Sequence, residues 1–178
     1  MDLTVLGVLE FNSIATGIKS LDAMAKAARI RIIDAKPVCP GKYIIIVAGE
    51  VADVDAAMTA GKKAGEAKIV DELFLPQLHP KIIPAIVGAA ESSEWDAIAV
   101  LEALSVTASI EAGDIACKRA NVSIPEIRLA VGLGGRSGFL RPGVRHGGAT
   151  CRLRGGRRKR WRRHYRRDSR VAVVEQPA

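Results

Sequence analysis

An internal repeat constrains this chain more than any other feature of its sequence. Residues 6–36 match residues 98–128 at a constant offset of 92 positions. The agreement extends to polar positions, including Ser13 and Ser105, Asp22 and Asp114, and Lys26 and Lys118. A match of this length at one offset indicates a tandem duplication, so the chain holds two copies of one supersecondary unit.

The start of each copy has the pattern of a strand followed by a helix. In the first copy the short apolar run Val5–Leu9 is typical of a buried strand, and Ser13 stands where a helix N-cap belongs. Apolar residues at helical spacing then predict the buried stripe of an amphipathic helix. These residues are Ile14, Ile18, Leu21, Ala25 and Ala28.

The remainder of the first copy predicts three more strands and a second helix. The strands are expected at residues 29–35, 43–47 and 70–75, and the helix at residues 51–64. Pro and Gly within Cys39–Lys42 predict a loop between two of these strands. The order βαββαβ belongs to the α/β class, as an α+β sandwich with helices on one face of a sheet.

The second copy follows this plan only as far as Val131. We therefore predict a first domain over residues 1–88, a linker over 89–96 and a partial second domain over 97–136. A disordered basic tail is expected over residues 137–178. A second copy that lacks its last strand, helix and strand would have a sheet with an uncovered edge.

The net charge of +8 is an average over two unlike regions. Residues 1–134 have a net charge of −4, whereas residues 135–178 have a net charge of +12 and hold thirteen of the arginines. Three interpretations of this tail stay open: an out-of-frame translation of the second copy, a basic arm, and an extension into a pore or lumen. The segment Arg157–Arg167 carries Trp161 and Tyr165 among its arginines, a pattern that also occurs in nucleic-acid-binding proteins.

Composition excludes several broad classes of protein. With 48% hydrophobic residues the chain can bury a core, so it is not wholly disordered. Its apolar runs are far shorter than the roughly 20 residues of a membrane helix, and its first residues lack the pattern of a secretory signal. Three unevenly spaced cysteines do not form a disulfide framework, which favours a reducing, cytosolic location.

No enzyme site is predicted. The sequence has no serine-centred elbow, no phosphate-binding loop and no metal-ligand spacing among its three histidines. Glu10 and Glu102 are equivalent through the duplication, so they are interpreted as structural positions rather than as an acid and a base. Gly132–Gly135 lacks the rest of a dinucleotide-binding motif.

A series of motifs in order resembles the bacterial microcompartment shell proteins of the tandem-domain trimer class. The resemblance covers about residues 3–136 and is greatest to the propanediol-utilisation type, which has a pore-lining cysteine. The motifs are Leu6–Ile18, Asp22–Lys26, Cys39–Tyr43, Ala48–Val51, Val70–Pro76 with His79 and Pro80, and Val131–Gly135.

The resemblance implies a structural subunit without catalytic activity. Three chains would form a homotrimer with six lobes, and such discs would tile with other shell proteins into the wall of a compartment in the bacterial cytoplasm. It also implies that one loop from each domain lines a central pore. The pore-lining residues would be Cys39, Pro40 and Gly41 from the first copy and Gly132, Leu133 and Gly134 from the second.

Two lysines are candidates for contacts between discs. The resemblance places Lys26 and Lys118 at the disc edge, where the stems of neighbouring lysines pack together. The residues alone favour solvated helix lysines, and only the resemblance favours the disc edge. Gln77 stands where the family often has an arginine, and this departure weakens the expectation of tiling.

Cys39 differs from the other two cysteines in its predicted position. Three Cys39 thiolates around a threefold axis would form a soft-metal site, and the resemblance implies a [4Fe–4S] cluster shared by three chains. The cluster would transfer electrons across the wall or plug the pore, and three free thiols are the open alternative. Cys117 is interpreted as a small buried thiol, while Cys151 in the tail has no assigned role.

Two other classes of function stay open on the sequence. A nucleic-acid-binding protein acting through residues 152–167 would lose affinity steeply as salt rises. A ferredoxin-like regulator of small-molecule metabolism would share the βαββαβ order but would leave the pore-loop motifs without a role.

Overall fold

The computed structural model describes residues 3–90, 97–129, 139–144 and 170–175. These residues form two compact units. The first unit runs to Pro80, and the second comprises Lys81–Leu129 with two later strands, Phe139–Val144 and Arg170–Glu175.

The first unit has the predicted order βαββαβ. Its antiparallel sheet has the strand order β2-β3-β1-β4. Its elements are β1 (Val5–Phe11), α1 (Ile14–Ala27), β2 (Arg31–Val38), β3 (Lys42–Gly49), α2 (Val51–Gly65), a short 3₁₀ turn (Glu66–Lys68) and β4 (Ile69–Pro76).

The core of the first unit lies around its two central strands. Every residue of β1 is buried, as is β3 from Tyr43 onward, which explains why both segments have continuous apolar sequences. The main cluster contains side chains from both central strands and both helices. Its members are Val5, Leu9, Phe11, Met24, Tyr43, Ile45, Val47, Val54, Ala57 and Met58.

Helix α1 begins as predicted but buries a different face. The Ser13 side chain caps the helix by accepting a hydrogen bond from the Thr16 N–H. The fully buried residues of the helix are Gly17, Ser20 and Met24. The predicted stripe is therefore wrong at Ile14, Ile18 and Ala25, which are exposed, and only Leu21 and Ala28 pack partly against the core.

Close packing of small residues explains this rotation of the helix. A Cβ atom added to Gly17 would lie 2.4 Å from Cδ1 of Tyr43, so the glycine allows α1 to lie directly on β3. A Cβ atom on Gly61 of α2 would likewise meet Met24 at 2.7 Å. Small side chains thus face the sheet and the neighbouring helix, and the larger isoleucines face outward.

The second unit repeats the same sheet. Its strand order β6-β7-β5-β8 matches the order of the first sheet strand for strand. Its elements are α3 (Ile82–Val87), β5 (Ala97–Glu102), α4 (Val106–Arg119), β6 (Val122–Arg128), β7 (Phe139–Val144) and β8 (Arg170–Glu175). Because α1 and α4 start 92 positions apart, the duplication is preserved in the structure.

Two segments of the region predicted to be a disordered tail form strands. Strands β7 and β8 pair with opposite sides of β5, so the prediction that this sheet lacks its last two strands is wrong. The β-branched residues Val171, Val173 and Val174 favour an extended chain in β8. Residues 145–169 lie outside the described residues, and within the described part the second unit has no counterpart of α2.

Strand β7 contains Pro142, which has no N–H group to donate to a neighbouring strand. In the ladder between β7 and β5, no residues are paired between the pairs Ile98–Gly143 and Leu101–Leu140. On the other side, the register with β6 shifts between Ser123 and Glu126. Both ladders are therefore interrupted beside the proline.

The boundary between the units differs from the predicted end of the first domain at residue 88. Helix α3 belongs to the second unit, because it packs against β6. Just before α3, the Lys81 Nζ donates a hydrogen bond of 2.9 Å to the carbonyl oxygen of Val122.

Candidate functional site

The predicted pore loop of the first copy is a tight turn between β2 and β3. The pairing of Val38 with Lys42 leaves Cys39, Pro40 and Gly41 as the three turn residues. Gly41 has a φ of 75°, a left-handed conformation that glycine adopts without steric cost. Pro40 and Gly41 are exposed and Cys39 is half-buried with a free thiol, so the turn presents small groups at its surface.

A buried ion pair holds one end of this turn. The Glu10 carboxylate on β1 is fully buried, and its Oε2 lies 3.2 Å from Nζ of Lys42, the first residue of β3. Glu10 pairs in register with Ile44, so Lys42 is the diagonal neighbour on the same face of the sheet. The carboxylate thereby fixes the residue that follows the turn.

The corresponding loop of the second copy differs in sequence. Phe139 lies opposite Glu102 as Ile44 lies opposite Glu10, so Ser137 is the sequence counterpart of Lys42. The second copy therefore cannot repeat the ion pair at that position. The predicted pore residues Gly132, Leu133 and Gly134 lie outside the described residues.

The described cysteines have different surroundings. Cys117 is half-buried on α4, and its pKa is raised to about 11, mainly because burial disfavours the thiolate. The Lys81 charge lowers this pKa and the Asp114 charge raises it further. At neutral pH Cys117 is thus a protonated thiol, a poor ligand for metals, in accord with its interpretation as a structural residue. Cys151 lies outside the described residues.

A single chain does not assemble a metal site in its described part. Among those residues, no group of three or more His, Cys, Asp or Glu side chains is placed to hold a metal ion. Cys39 supplies one sulfur atom at the surface of one turn. A metal site at Cys39 would therefore need further ligands from outside these described residues.

The two predicted edge lysines form equivalent ion pairs within their helices. Lys26 Nζ lies 2.6 Å from Asp22 Oδ2, and Lys118 Nζ lies 2.5 Å from Asp114 Oδ2. The side chains of Lys26 and Asp22 are 74% and 62% exposed, whereas those of Lys118 and Asp114 are 37% and 2% exposed. Both ammonium groups reach solvent, but only the second is held by a buried carboxylate.

Gln77, the residue at which the sequence departs from the family pattern, has a φ of 54°. It follows the end of β4 and turns the chain, and the next N–H, from Leu78, donates to the carbonyl oxygen of Thr4 at 2.9 Å. Gln77 is exposed, so its side chain is available at the surface.

Two features of the site were not predicted from the sequence. The pairing of Lys42 with Glu10 depends on the register of β1 and β3, which local patterns do not specify. The burial of Asp114 depends on elements outside α4. The sequence does contain one signal for the Glu10–Lys42 pair. Glu10 lies within an apolar stretch, and a carboxylate within a buried strand requires a partner.

No helix in the described ranges is both long enough and apolar enough to cross a membrane.

Comparison with known proteins gives consistent matches. The BMC domain family matches residues 5–78. The bacterial microcompartment shell protein PduT of Citrobacter freundii is 37% identical over 131 residues, which cover 74% of this chain and 71% of that protein. The carboxysome shell protein CsoS1 of Prochlorococcus marinus (strain SARG) is 34% identical over 85 residues, which cover 46% of this chain and 82% of that protein.

A solved structure matches over both units. A microcompartment protein from Desulfitobacterium hafniense DCB has 40% sequence identity and a TM-score of 0.74. The match covers 79% of this chain and 77% of that one.

Proposed function

Because the chain belongs to the family of bacterial microcompartment shell proteins, we propose that it forms a homotrimeric tile with six similar lobes. The observation that supports this is the repetition of one sheet, β2-β3-β1-β4 and β6-β7-β5-β8, within a single chain. Cyclic assembly of three such chains gives nearly hexagonal symmetry from two kinds of lobe. A flat tile of this shape can cover a surface.

The role of the tile is structural and non-enzymatic, and its partners are other shell proteins. The matched relatives are shell proteins of microcompartments and carboxysomes. Lys26 and Lys118 reach solvent from equivalent helices, which supports their assignment to tile edges. The nucleic-acid alternative depends on Arg157–Arg167, which lies outside the described residues, and none of the matched proteins reported above is named for such binding.

The centre of the tile is a pore lined by the turn at Cys39, Pro40 and Gly41 together with residues 132–134. The turn suits this position because its exposed residues are small and Gly41 permits a tight reversal. In a trimer three Cys39 thiolates would supply soft donors for a [4Fe–4S] cluster. Such a cluster supplies one-electron transfer, and Glu10 with Lys42 holds the turn that carries the thiol.

Sedimentation velocity of the purified full chain tests the proposal. We expect a species of three times the 19.0 kDa chain mass, and electron microscopy should show discs that form sheets. A monomer or dimer at micromolar concentration would overturn the homotrimer. Replacement of the arginines in 157–167 by glutamine is the control, because tight, salt-sensitive DNA binding lost only in this variant would favour the nucleic-acid alternative.

A further inference from the structure

The connection from β7 to β8 has to cross the second sheet. Both strands pair antiparallel with β5 from opposite sides, so they run parallel to each other. In the first unit, β3 and β4 flank β1 in the same way, and α2 connects them. Connections between parallel strands of one sheet are right-handed in about 98% of cases. This rule predicts that residues 145–169 cross the face of β5 that corresponds to the α2 side of β1.

This face of β5 is less covered than its counterpart in the first unit. Gly7 and Leu9 of β1 are buried, and a Cβ atom added to Gly7 would lie 2.9 Å from Sδ of Met58 on α2. The counterparts at the offset of 92 are Ala99 and Leu101, and both are half-buried. In the part of the chain that the structure describes, the cover over β5 is therefore incomplete.

The neighbouring side of α4 shows the same difference. Met24 of α1 is completely buried, and a Cβ atom added to Gly61 of α2 would lie 2.7 Å from Cγ of Met24. The counterpart of Met24 is Ala116, which is half-buried. We call Ala99, Leu101 and Ala116 the crossover face.

The side chains below the two crossovers differ in volume. In the first unit, α2 places Gly61 and Gly65 against the large side chains of Met24 and Phe11. At the offset of 92, the second copy has alanine in place of both large residues. Because protein interiors are close-packed, an occupant of the crossover face needs large side chains, four positions apart, where α2 has glycines.

Two large aromatic side chains within residues 145–169 have this spacing. Trp161 and Tyr165 lie four positions apart, and residues at this spacing are neighbours on a helix. The connection has 25 residues, whereas the 19 residues between β3 and β4 hold α2 and its turns. Arginine has a high helix propensity, and the arginines around the aromatic residues can keep their charged groups in water.

We propose that the crossover face is the docking site of residues 157–168 of the same chain, which take the place of α2 with Trp161 against Ala116. The indole fills the volume that Met24 occupies in the first unit. Tyr165 packs one helical turn further along. The inference goes beyond the proposed function, because it makes the arginine-rich segment part of the fold of the second unit rather than a free basic arm.

Tryptophan fluorescence of the full chain tests the docking. In a Trp95→Phe background, Trp161 is the sole tryptophan. We expect its emission to lie to the blue of the emission from the urea-unfolded chain, and we expect acrylamide to quench it less. Ala116→Met restores the side chain of the first unit, so it should displace the indole and shift the emission to the red. Ala116→Lys should have the same effect.

A matched control separates the crossover face from general effects of substitution. Leu104 is 48% exposed and lies outside the face, so Leu104→Lys should leave the emission unchanged. Circular dichroism checks that each variant folds. Emission of the parent chain equal to that of the unfolded chain, or emission unchanged in both Ala116 variants, would overturn the proposal.

A mixing experiment distinguishes the same chain from a second copy as the source of the segment. The Trp95→Phe, Ala116→Met chain, whose face is blocked, is refolded from urea with an excess of a Trp95→Phe, Trp161→Ala chain, whose face is open. Emission that stays red-shifted supports docking within one chain. Recovery of the blue-shifted emission would place the segment on a second copy and overturn the proposal. Sedimentation of the same samples reports trimer formation separately, so either proposal can fail without the other.

Discussion

Lys42 extends its ammonium group to within 3.2 Å of the fully buried carboxylate of Glu10 and so fixes the end of the Cys39–Gly41 turn. The lysine is itself largely covered, which makes this pair unlike a surface ion pair. Removal of the lysine would take an ammonium group away from a buried carboxylate. The geometry of the turn and the stability of the first unit are therefore linked.

Lys42→Met is expected to lower the free energy of unfolding by about 3 kcal/mol, because it removes the ammonium group beside the buried Glu10 carboxylate while the stem is kept. The measurement is equilibrium unfolding in urea. Lys26→Met is the matched control, since the exposed Lys26–Asp22 pair contributes about 0.5 kcal/mol or less. Equal losses in the two variants would contradict the assignment.

Gly17→Ala is expected to destabilise the first unit by about 1–2 kcal/mol. Helix propensity alone predicts that the free energy of unfolding rises by about 1 kcal/mol. The sign of the measured change therefore distinguishes helix propensity from overpacking. The new Cβ would lie 2.4 Å from the Tyr43 ring, and overpacking outweighs the gain. Thermal unfolding measures the change, and Lys19→Ala on the exposed side of α1 should be nearly neutral or stabilising.

Cys117 is expected to react as a thiol whose pKa is about 11 instead of 9.0. In a Cys39→Ser, Cys151→Ser background, alkylation by iodoacetamide should stay slow at pH 9 in the folded chain and become fast after unfolding in urea. Burial favours the neutral thiol, so its contribution to stability is fully present below pH 9 and is lost as pH rises through about 11. Equal rates for folded and unfolded chains at pH 9 would exclude the raised pKa.

Cys39→Ser is expected to abolish iron incorporation during anaerobic reconstitution, whereas Cys117→Ser should retain it. One chain offers a single thiol at the turn, so a cluster held by Cys39 would depend on trimer formation and would stabilise the trimer in return. Iron and sulfide content per trimer measures the outcome. If Cys39→Ser binds as much iron as the wild type, or if a monomer binds iron, Cys39 is not the cluster ligand. Three free thiols at the pore would then be the remaining interpretation.

The double variant Lys26→Ala, Lys118→Ala is expected to remain trimeric but to lose extended sheets in electron micrographs. In the proposed tile the lysine stems would provide the contact between neighbouring tiles, and neither side chain is buried in the single chain. If the double variant still forms arrays of tiles of normal extent, both lysines lie on solvated helix faces and make no contact between tiles. Lys63→Ala, an exposed lysine on α2, is the control for loss of charge alone.

Local sequence patterns predicted where the elements of the first unit lie. The strand at Val5 and the helix after Ser13 were identified because strand runs and caps are written in neighbouring residues. The face of α1 that packs on the sheet was not identified, because the position of Gly17 against Tyr43 is a contact between segments distant in sequence. Apolar spacing indicated Ile14 and Ile18 for the core, although both face outward in this chain.

The second unit shows a different limit of sequence reasoning. The composition of the tail hid strands β7 and β8, since glycine and arginine flank β7, an arginine-rich stretch precedes β8, and Pro142 lies inside β7. Pairing with β5 decides the conformation of these segments, and pairing partners are remote in the sequence. In the candidate site, Pro40 and Gly41 predicted the turn, but only the register of β1 and β3 brings Lys42 to Glu10.

The packing of α3 on β6 and α4 has a consequence for how the two copies change over time. Val106 and Ile110 are buried in the unit that contains α3, so substitutions there must fit neighbours encoded by the same gene. Ile14 and Ile18 descend from the same ancestral positions but are free of that restriction. The two descendants of one ancestral helix therefore change under different constraints, one set inside the chain and the other at its surface.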